Sequence, residues 1–256
     1  GNTGSNVSIT NLVNSSGVVA TDTTGVGTAR EKLGAAGYGG DKAIFGYGSA
    51  GPDLSMTNLV SNSGVVATDV TGVGTARRDI RATTYGLDKA IFGYGVTSGV
   101  VSITNLVNSS GVVSTDVTGV GTAREQLGAA GYGGDKAIFG YGTNGGNVSM
   151  TNLVSSSGVV SADVSGVGTG RYALAAASYG SDKALFGYGY ASSYVSITNL
   201  VSNTGVVSSD VSGVGTARFR LAAASYGGDK ALFGYGNTGS QVSITNLVSS
   251  SGVVAS

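Results

Sequence analysis

Short apolar runs alternate with clusters of Gly, Asn and Ser along the whole chain. From Gly111 to Val154 it reads GVVSTDV, TGVGTAR, EQLGAAGYGG, DKAIFGYG, TNGGN and VSMTNLV. Runs of Val, Ile, Leu, Ala, Phe and Tyr bounded by turn residues predict short strands joined by tight turns. The spacing leaves no room for a useful helix, and each Gly inside one would cost about 1 kcal/mol relative to Ala. Four strands are expected in this stretch: a (LGAAGYG), b (KAIFGYG), c (VSMTNLV) and d (GVVSTDV). Strand c carries apolar residues toward both faces, which suits a sheet covered on both sides. Strand a consists of small residues around one Tyr, as expected beside a crowded axis.

The pattern repeats. Thr-Asn-Leu-Val begins at Thr10, Thr57, Thr104, Thr151, Thr198 and Thr245, always 47 residues apart, and 256 = 5 × 47 + 21. A fixed period of this length marks a repeat protein whose units are supersecondary pieces rather than domains. Five units fit as 22–68, 69–115, 116–162, 163–209 and 210–256, after an N-terminal c–d hairpin at 1–21. Four antiparallel strands per unit, buried on both faces and repeated radially, predict an all-β propeller of four-stranded blades. Five blades are favoured, six are possible, and a linear β-solenoid is the runner-up.

Composition narrows the chemistry. The chain has no His and no Cys, which removes Ser-His-Asp triads, Cys nucleophiles, disulfides and the usual zinc, copper, haem and iron–sulfur ligands. Balanced charge, 14 bases against 14 acids, gives no electrostatic reason to expect nucleic acid. No apolar run reaches the length of a membrane span, and Gly1-Asn2-Thr3-Gly4 does not resemble a signal peptide, so a soluble chain without a membrane span is expected. The sequence points to no cofactor.

Arg124 leads into strand a, and Asp135-Lys136-Ala137-Ile138-Phe139-Gly140-Tyr141-Gly142 stands in the place of strand b. In these features the repeats resemble the kelch family of propellers. Two departures are a Gly-Tyr-Gly in place of the Gly doublet and no Trp in strand d. TNLV, GVVATD and DKAIFGYG together are also similar to Gly-rich repeat proteins encoded by marine bacteriophages and bacteria. The kelch resemblance implies a binding scaffold more often than an enzyme.

Residues 1–21 and 236–256 differ at only 3 of 21 positions, so two near-identical hairpins compete for one closing slot. This surplus predicts either a spare hairpin on a five-bladed ring, a notched sixth blade, or self-association through the duplicate.

Comparing the repeats with one another separates scaffold from candidate site. Arg30, Arg77, Arg124, Arg171 and Arg218 recur at 47-residue intervals. They are expected to hydrogen-bond carbonyls or an Asp of the same blade; the functional alternative is a ring of five Arg around a channel mouth that binds an anion. Non-recurring acids are Glu31, Asp53, Asp79 and Glu125; non-recurring bases are Lys32, Arg78, Arg81 and Arg220; non-recurring aromatics are Tyr172, Tyr190, Tyr194 and Phe219. All twelve fall in the d–a or b–c connections, which lie at one end of an antiparallel a-b-c-d sheet. One face therefore varies while the other stays constant, the pattern of a binding face carried on loops. Tyr172, Tyr190, Tyr194 and Phe219 are expected to form an aromatic patch suited to a glycan or a host-surface protein. Glu31, Lys32, Arg78, Asp79, Arg81 and Glu125 are expected to form a charged patch, and Arg220 joins the same face.

Gly-Val-Gly-Thr-Ala-Arg lacks the helix and Lys-Ser/Thr of a phosphate loop, and no paired carboxylates suggest glycoside hydrolysis. The expected function is non-catalytic recognition on a phage particle or bacterial surface. The alternative is an architectural or engineered repeat protein that assembles through its duplicated hairpin. A virion or extracellular setting is favoured, with the cytoplasm open.

Overall fold

The computed structural model describes residues 1–14, 16 and 18–256. Fifteen strands and no helix are present among these residues. The first sheet contains β1 (Gly34–Tyr38), β2 (Lys42–Gly46) and β3 (Thr57–Val60), and the second β4 (Arg81–Tyr85), β5 (Lys89–Gly93) and β6 (Thr104–Val107). The third contains β7 (Gly128–Tyr132), β8 (Lys136–Gly140) and β9 (Thr151–Val154), and the fourth β10 (Ala175–Tyr179), β11 (Lys183–Gly187) and β12 (Thr198–Val201). The fifth contains β13 (Ala222–Tyr226), β14 (Lys230–Gly234) and β15 (Thr245–Val248). Every sheet is an antiparallel meander with its strands in chain order. The register repeats as well: Gly128 faces Gly140 and Tyr132 faces Lys136, while Gly140 faces Thr151 and Ala137 faces Val154.

Each sheet has three strands where the pattern predicts four. The d segment of the third unit joins β9 only through isolated bridges, Thr151 to Val164 and Val154 to Val160. The cause is a side chain in the ladder. Asn152 is buried between the two segments, and its Nδ2 donates to the carbonyl of Ser161 at 3.1 Å. A side-chain amide thus takes a place that backbone pairing would fill, and the ladder is interrupted without leaving that carbonyl unpaired.

Neighbouring units pack first strand on first strand, β1 to β4 to β7 to β10 to β13, and first strand on the next unit's second strand. No comparable contact joins their third strands, so the units fan outward from the first-strand edge. Small residues permit this approach. Ser178 Oγ donates to the Gly131 carbonyl at 2.8 Å, and Gly133 N–H donates to the Asp182 carbonyl at 2.6 Å. A methyl group on Gly140 would come within 2.7 Å of the Phe186 ring.

The core lies between units rather than within them. Ala130, Tyr132, Ile138 and Tyr141 of the third unit cluster with Leu174, Ala184, Phe186 and Val201. Equivalent clusters join the other successive pairs. Among the described residues, none joins the fifth unit to the first.

The expected closed ring is not made, and neither is a sixth blade. Tyr179 and Tyr188 of the fourth unit are 4% and 0% exposed, whereas their equivalents Tyr226 and Tyr235 are 38% and 62% exposed. Among the described residues, none covers the outer side of the fifth sheet. The described residues of the N-terminal segment, 1–14, 16 and 18–21, lie against the first unit. Thr10 bridges Thr23 and Val13 bridges Val19. A methyl on Gly64 would meet the Leu12 side chain, as one on Gly111 would meet Leu59 one repeat later. Ser15 and Gly17 lie outside the described residues. No helix is long and apolar enough to cross a membrane among the residues described.

Candidate binding strip and the unit interfaces

The recurring Arg side chains are sealed inside the units. Arg124 is 0% exposed and uses its donors on Tyr141 O (Nε, 2.8 Å), Thr122 O (Nη1, 2.9 Å) and Asn152 Oδ1 (Nη2, 2.7 Å). Asn152 Nδ2 donates in turn to Asp163 Oδ1 at 2.9 Å, and Asp163 accepts the Thr122 hydroxyl at 2.7 Å. Arg30 and Arg77 make the same three bonds. Arg171 and Arg218 keep the first two, but their Nη2 lies 3.5 Å from the carbonyl of Phe186 or Phe233, and Asn199 Oδ1 and Asn246 Oδ1 are left buried without a partner. These five groups therefore do not ring an open mouth: they hold the b–c connection, strand c and d segment together, with no guanidinium free for an anion.

The same Arg joins one unit to the one before it. Arg171 stands 4.3 Å from the centroid of Tyr141, and Arg77, Arg124 and Arg218 stand equally over Tyr47, Tyr94 and Tyr188. Each of these Tyr residues has φ near 62°, a left-handed conformation that only a surrounding structure can hold. Tyr141 OH donates to the Val167 carbonyl at 3.1 Å, and its ring meets Phe186 with centroids 5.1 Å apart. Burial pushes Tyr47, Tyr94 and Tyr141 up to about 12, against the opposing pull of Arg77, Arg124 and Arg171. Partial burial pushes Asp69, Asp116, Asp163 and Asp210 upward, but hydrogen bonds from a Thr hydroxyl, an Asn amide and a Thr N–H outweigh it and hold them below the usual carboxylate value.

The non-recurring residues come together along one end of the sheets. In each unit, isolated bridges set three residues side by side where the d–a and b–c connections meet. They are Glu31, Ser49 and Asp53; Arg78, Val96 and Val100; Glu125, Thr143 and Asn147; Tyr172, Tyr190 and Tyr194; and Phe219, Asn237 and Gln241. The next residue along the chain, Lys32, Asp79, Gln126, Ala173 or Arg220, has φ of 51–56°. Its backbone continues from unit to unit: Asp79 N–H donates to Lys32 O at 3.0 Å, and Arg220 N–H to Ala173 O at 2.8 Å. This bond is made at three of the four boundaries, Ala173 N–H to Gln126 O at 2.8 Å being the third, and the triads form a strip along one end of the sheets.

Contacts along the strip depend on its residues. Arg78 Nη1 contacts both carboxylate oxygens of Asp53, at 3.0 and 2.9 Å, and Lys32 pairs with Asp79 at 3.7 Å. Asn2 Nδ2 donates to Glu31 at 3.0 Å. Asn147 donates through its amide to the carbonyl of Ala191. Arg81 is not part of the strip: it opens β4 and turns to the backbone carbonyls of Leu127 and Ile80. Glu125 lies on the strip between the charged and aromatic portions.

The aromatic residues meet. Tyr190 is the hub, with centroids 5.4 Å from Tyr172, 5.7 Å from Tyr194 and 6.1 Å from Phe219. Tyr194 and Phe219 stack across the unit boundary at 5.1 Å and 15°, and Arg220 lies 5.1 Å from the Phe219 centroid. All four rings are half-buried, so part of each remains at the surface. Exposed Ser192 and Ser193 and the amides of Asn237 and Gln241 border them. The remaining members of the strip, such as Ser49 and Thr143, also differ from repeat to repeat, but small polar residues exchange throughout the chain and so do not stand out in a comparison of repeats.

No known family model matches this chain, and no curated protein matches it.

Proposed function

We propose that the chain is a non-catalytic recognition module on a repeated all-β scaffold, and that it binds a saccharide across Tyr172, Tyr190, Tyr194 and Phe219. The observation that carries this reading is their convergence. Four aromatics that depart from the repeat, from two units, gather into one cluster on the strip. Substitutions without a role would scatter around the surface; these share one site. Aromatic faces bordered by hydroxyl and amide groups suit a pyranose, whose C–H face stacks while its hydroxyls exchange hydrogen bonds. The kelch-like placement of Arg124 and Asp135-Lys136 also favours a scaffold for binding. A virion or cell-exterior setting fits such a module.

The test is a saccharide panel titrated by calorimetry into the full chain and into Tyr190→Ala/Tyr194→Ala. Binding by the native sequence that is lost in the double variant supports the reading. Binding retained by the double variant contradicts it.

A further inference from the structure

Among the described residues, one acid of the fourteen has no side-chain partner, and it borders the aromatic cluster. Glu31 accepts from Asn2, Asp53 binds Arg78, and Asp79 pairs with Lys32. The recurring Asp residues are bonded as well, to Thr or Asn side chains or to the Lys that follows them in the a–b turn. The exception is Glu125, which is half-buried on the strip. A carboxylate withdrawn from water without a donor is unfavourable, and a cation brought beside it relieves that cost.

The fold fixes where Glu125 stands. Isolated bridges set Glu125, Thr143 and Asn147 side by side in the third unit, and Tyr172, Tyr190 and Tyr194 in the fourth. Two bonds join these rows. Ala173 N–H donates to Gln126 O at 2.8 Å, next to Tyr172 and Glu125, and the Asn147 amide donates to the Ala191 carbonyl, next to Tyr190. Gly170 permits the same approach. It stands where the other units have Ala29, Ala76, Ala123 and Ala217, and a methyl there would come within 2.8 Å of Asn147 O. Glu125 is therefore the neighbour of Tyr172 at one edge of the cluster. Arg78, on its other side, is occupied by both carboxylate oxygens of Asp53 at 3.0 and 2.9 Å. Arg220 lies at the opposite edge, 5.1 Å from the Phe219 centroid.

We propose that Glu125 makes the aromatic site selective for a basic saccharide, a hexosamine unit with a free amine whose ammonium lies between the Glu125 carboxylate and the face of Tyr172. The inference rests on the saccharide reading of the cluster. An ammonium group supplies the donors that Glu125 lacks, and a tyrosine face attracts a cation as it does not attract a neutral hydroxyl. The sugar ring then stacks on Tyr190 and Tyr194. Arg220 repels the same charge from the far edge, so the amine is directed to the Glu125 side. N-acetylation removes the charge, and an N-acetylated sugar gains neither contact.

Calorimetric titration of the full chain with two glucosamine oligomers of the same length and linkage, one with free amines and one N-acetylated, tests this at slightly acidic pH. The free-amine oligomer is expected to bind about tenfold more tightly. Glu125→Gln should bring the two affinities together, and added salt should narrow the difference in the native chain. Because Glu125 has no side-chain partner within the chain, the variant should melt at the native temperature. Equal affinities in the native chain, or a preference for the amine that survives Glu125→Gln, overturn the inference and leave the saccharide site standing. Failure of both oligomers to bind also overturns it, and neutral sugars then decide the saccharide reading. Binding of the free-amine oligomer that Tyr190→Ala/Tyr194→Ala leaves intact contradicts the aromatic site itself, and this inference with it.

Discussion

The guanidinium of Arg171 lies 4.3 Å above the ring of Tyr141, a residue of the preceding unit, while donating through Nε to the carbonyl of Tyr188 in its own unit at 2.8 Å. One side chain thus holds a unit together internally and fastens it to its neighbour. A buried charge with these partners cannot be removed without orphaning them. The same logic recurs at each boundary, so the stability of the array is a sum of similar units and interfaces.

Replacing Arg124 with Met is expected to destabilise the chain by about 3–5 kcal/mol, because Asn152 Oδ1 and the carbonyls of Tyr141 and Thr122 lose a buried donor together. Arg124→Lys recovers only part of this, since an ammonium group cannot reach three acceptors in the plane of a guanidinium. Arg30→Met should cost less than Arg124→Met by roughly 0.5–2 kcal/mol, as no Tyr ring lies over Arg30. Urea unfolding of the three variants measures the order.

Glycines facing the next unit should respond to position rather than to type. Gly140→Ala brings a methyl within 2.7 Å of the Phe186 ring and should cost about 1–3 kcal/mol, as overpacked interiors do. Gly234→Ala, at the same place in the uncovered fifth unit, should change stability by no more than about 0.5 kcal/mol. Thermal melts of the two variants at low concentration make the comparison.

The pH dependence has two arms. Asp69, Asp116, Asp163 and Asp210 have folded values below their unfolded ones, so they contribute stability above about pH 4 that is lost as the pH falls through the folded values. Tyr47, Tyr94 and Tyr141 are raised from 10.0 to about 12, so they contribute stability below pH 10 that is lost as the pH rises toward 12. Melting temperature should hold a plateau between these limits and fall on both sides. Asp116→Asn should shallow the acid arm, and Tyr94→Phe the alkaline arm.

Much of this was legible because the chain contains its own comparison. Repetition of DKAIFGYG, or DKALFGYG, and of TNLV marks the second and third strands of every sheet, and departure from repetition picks out Tyr172, Tyr190, Tyr194 and Phe219, which the fold then places in contact. The destination of Arg124 was less legible: its acceptors, the Tyr141 carbonyl and Asn152, lie 17 and 28 residues away. A buried Arg and a solvent-facing one share the same local sequence. The repeat pattern predicts four strands per sheet because Asn152 reads as an ordinary polar residue of strand c, yet its side chain interrupts the ladder. Ring closure was beyond reach for another reason. It depends on the angle between successive units, set by how far rings such as Phe186 hold neighbouring sheets apart, and a period of 47 carries no angle. Asp53, read only as a non-recurring acid, proved to be the partner of Arg78.

The most direct test of the recognition site uses the absence of Trp from this sequence. Phe219→Trp places a single indole against Tyr194, at the centre of the proposed saccharide site. A saccharide that calorimetry shows to bind the native chain should shift or quench that fluorescence, with the same affinity by both methods. A saccharide that binds with no change in the indole signal, or a panel with no binder at all, would contradict the account.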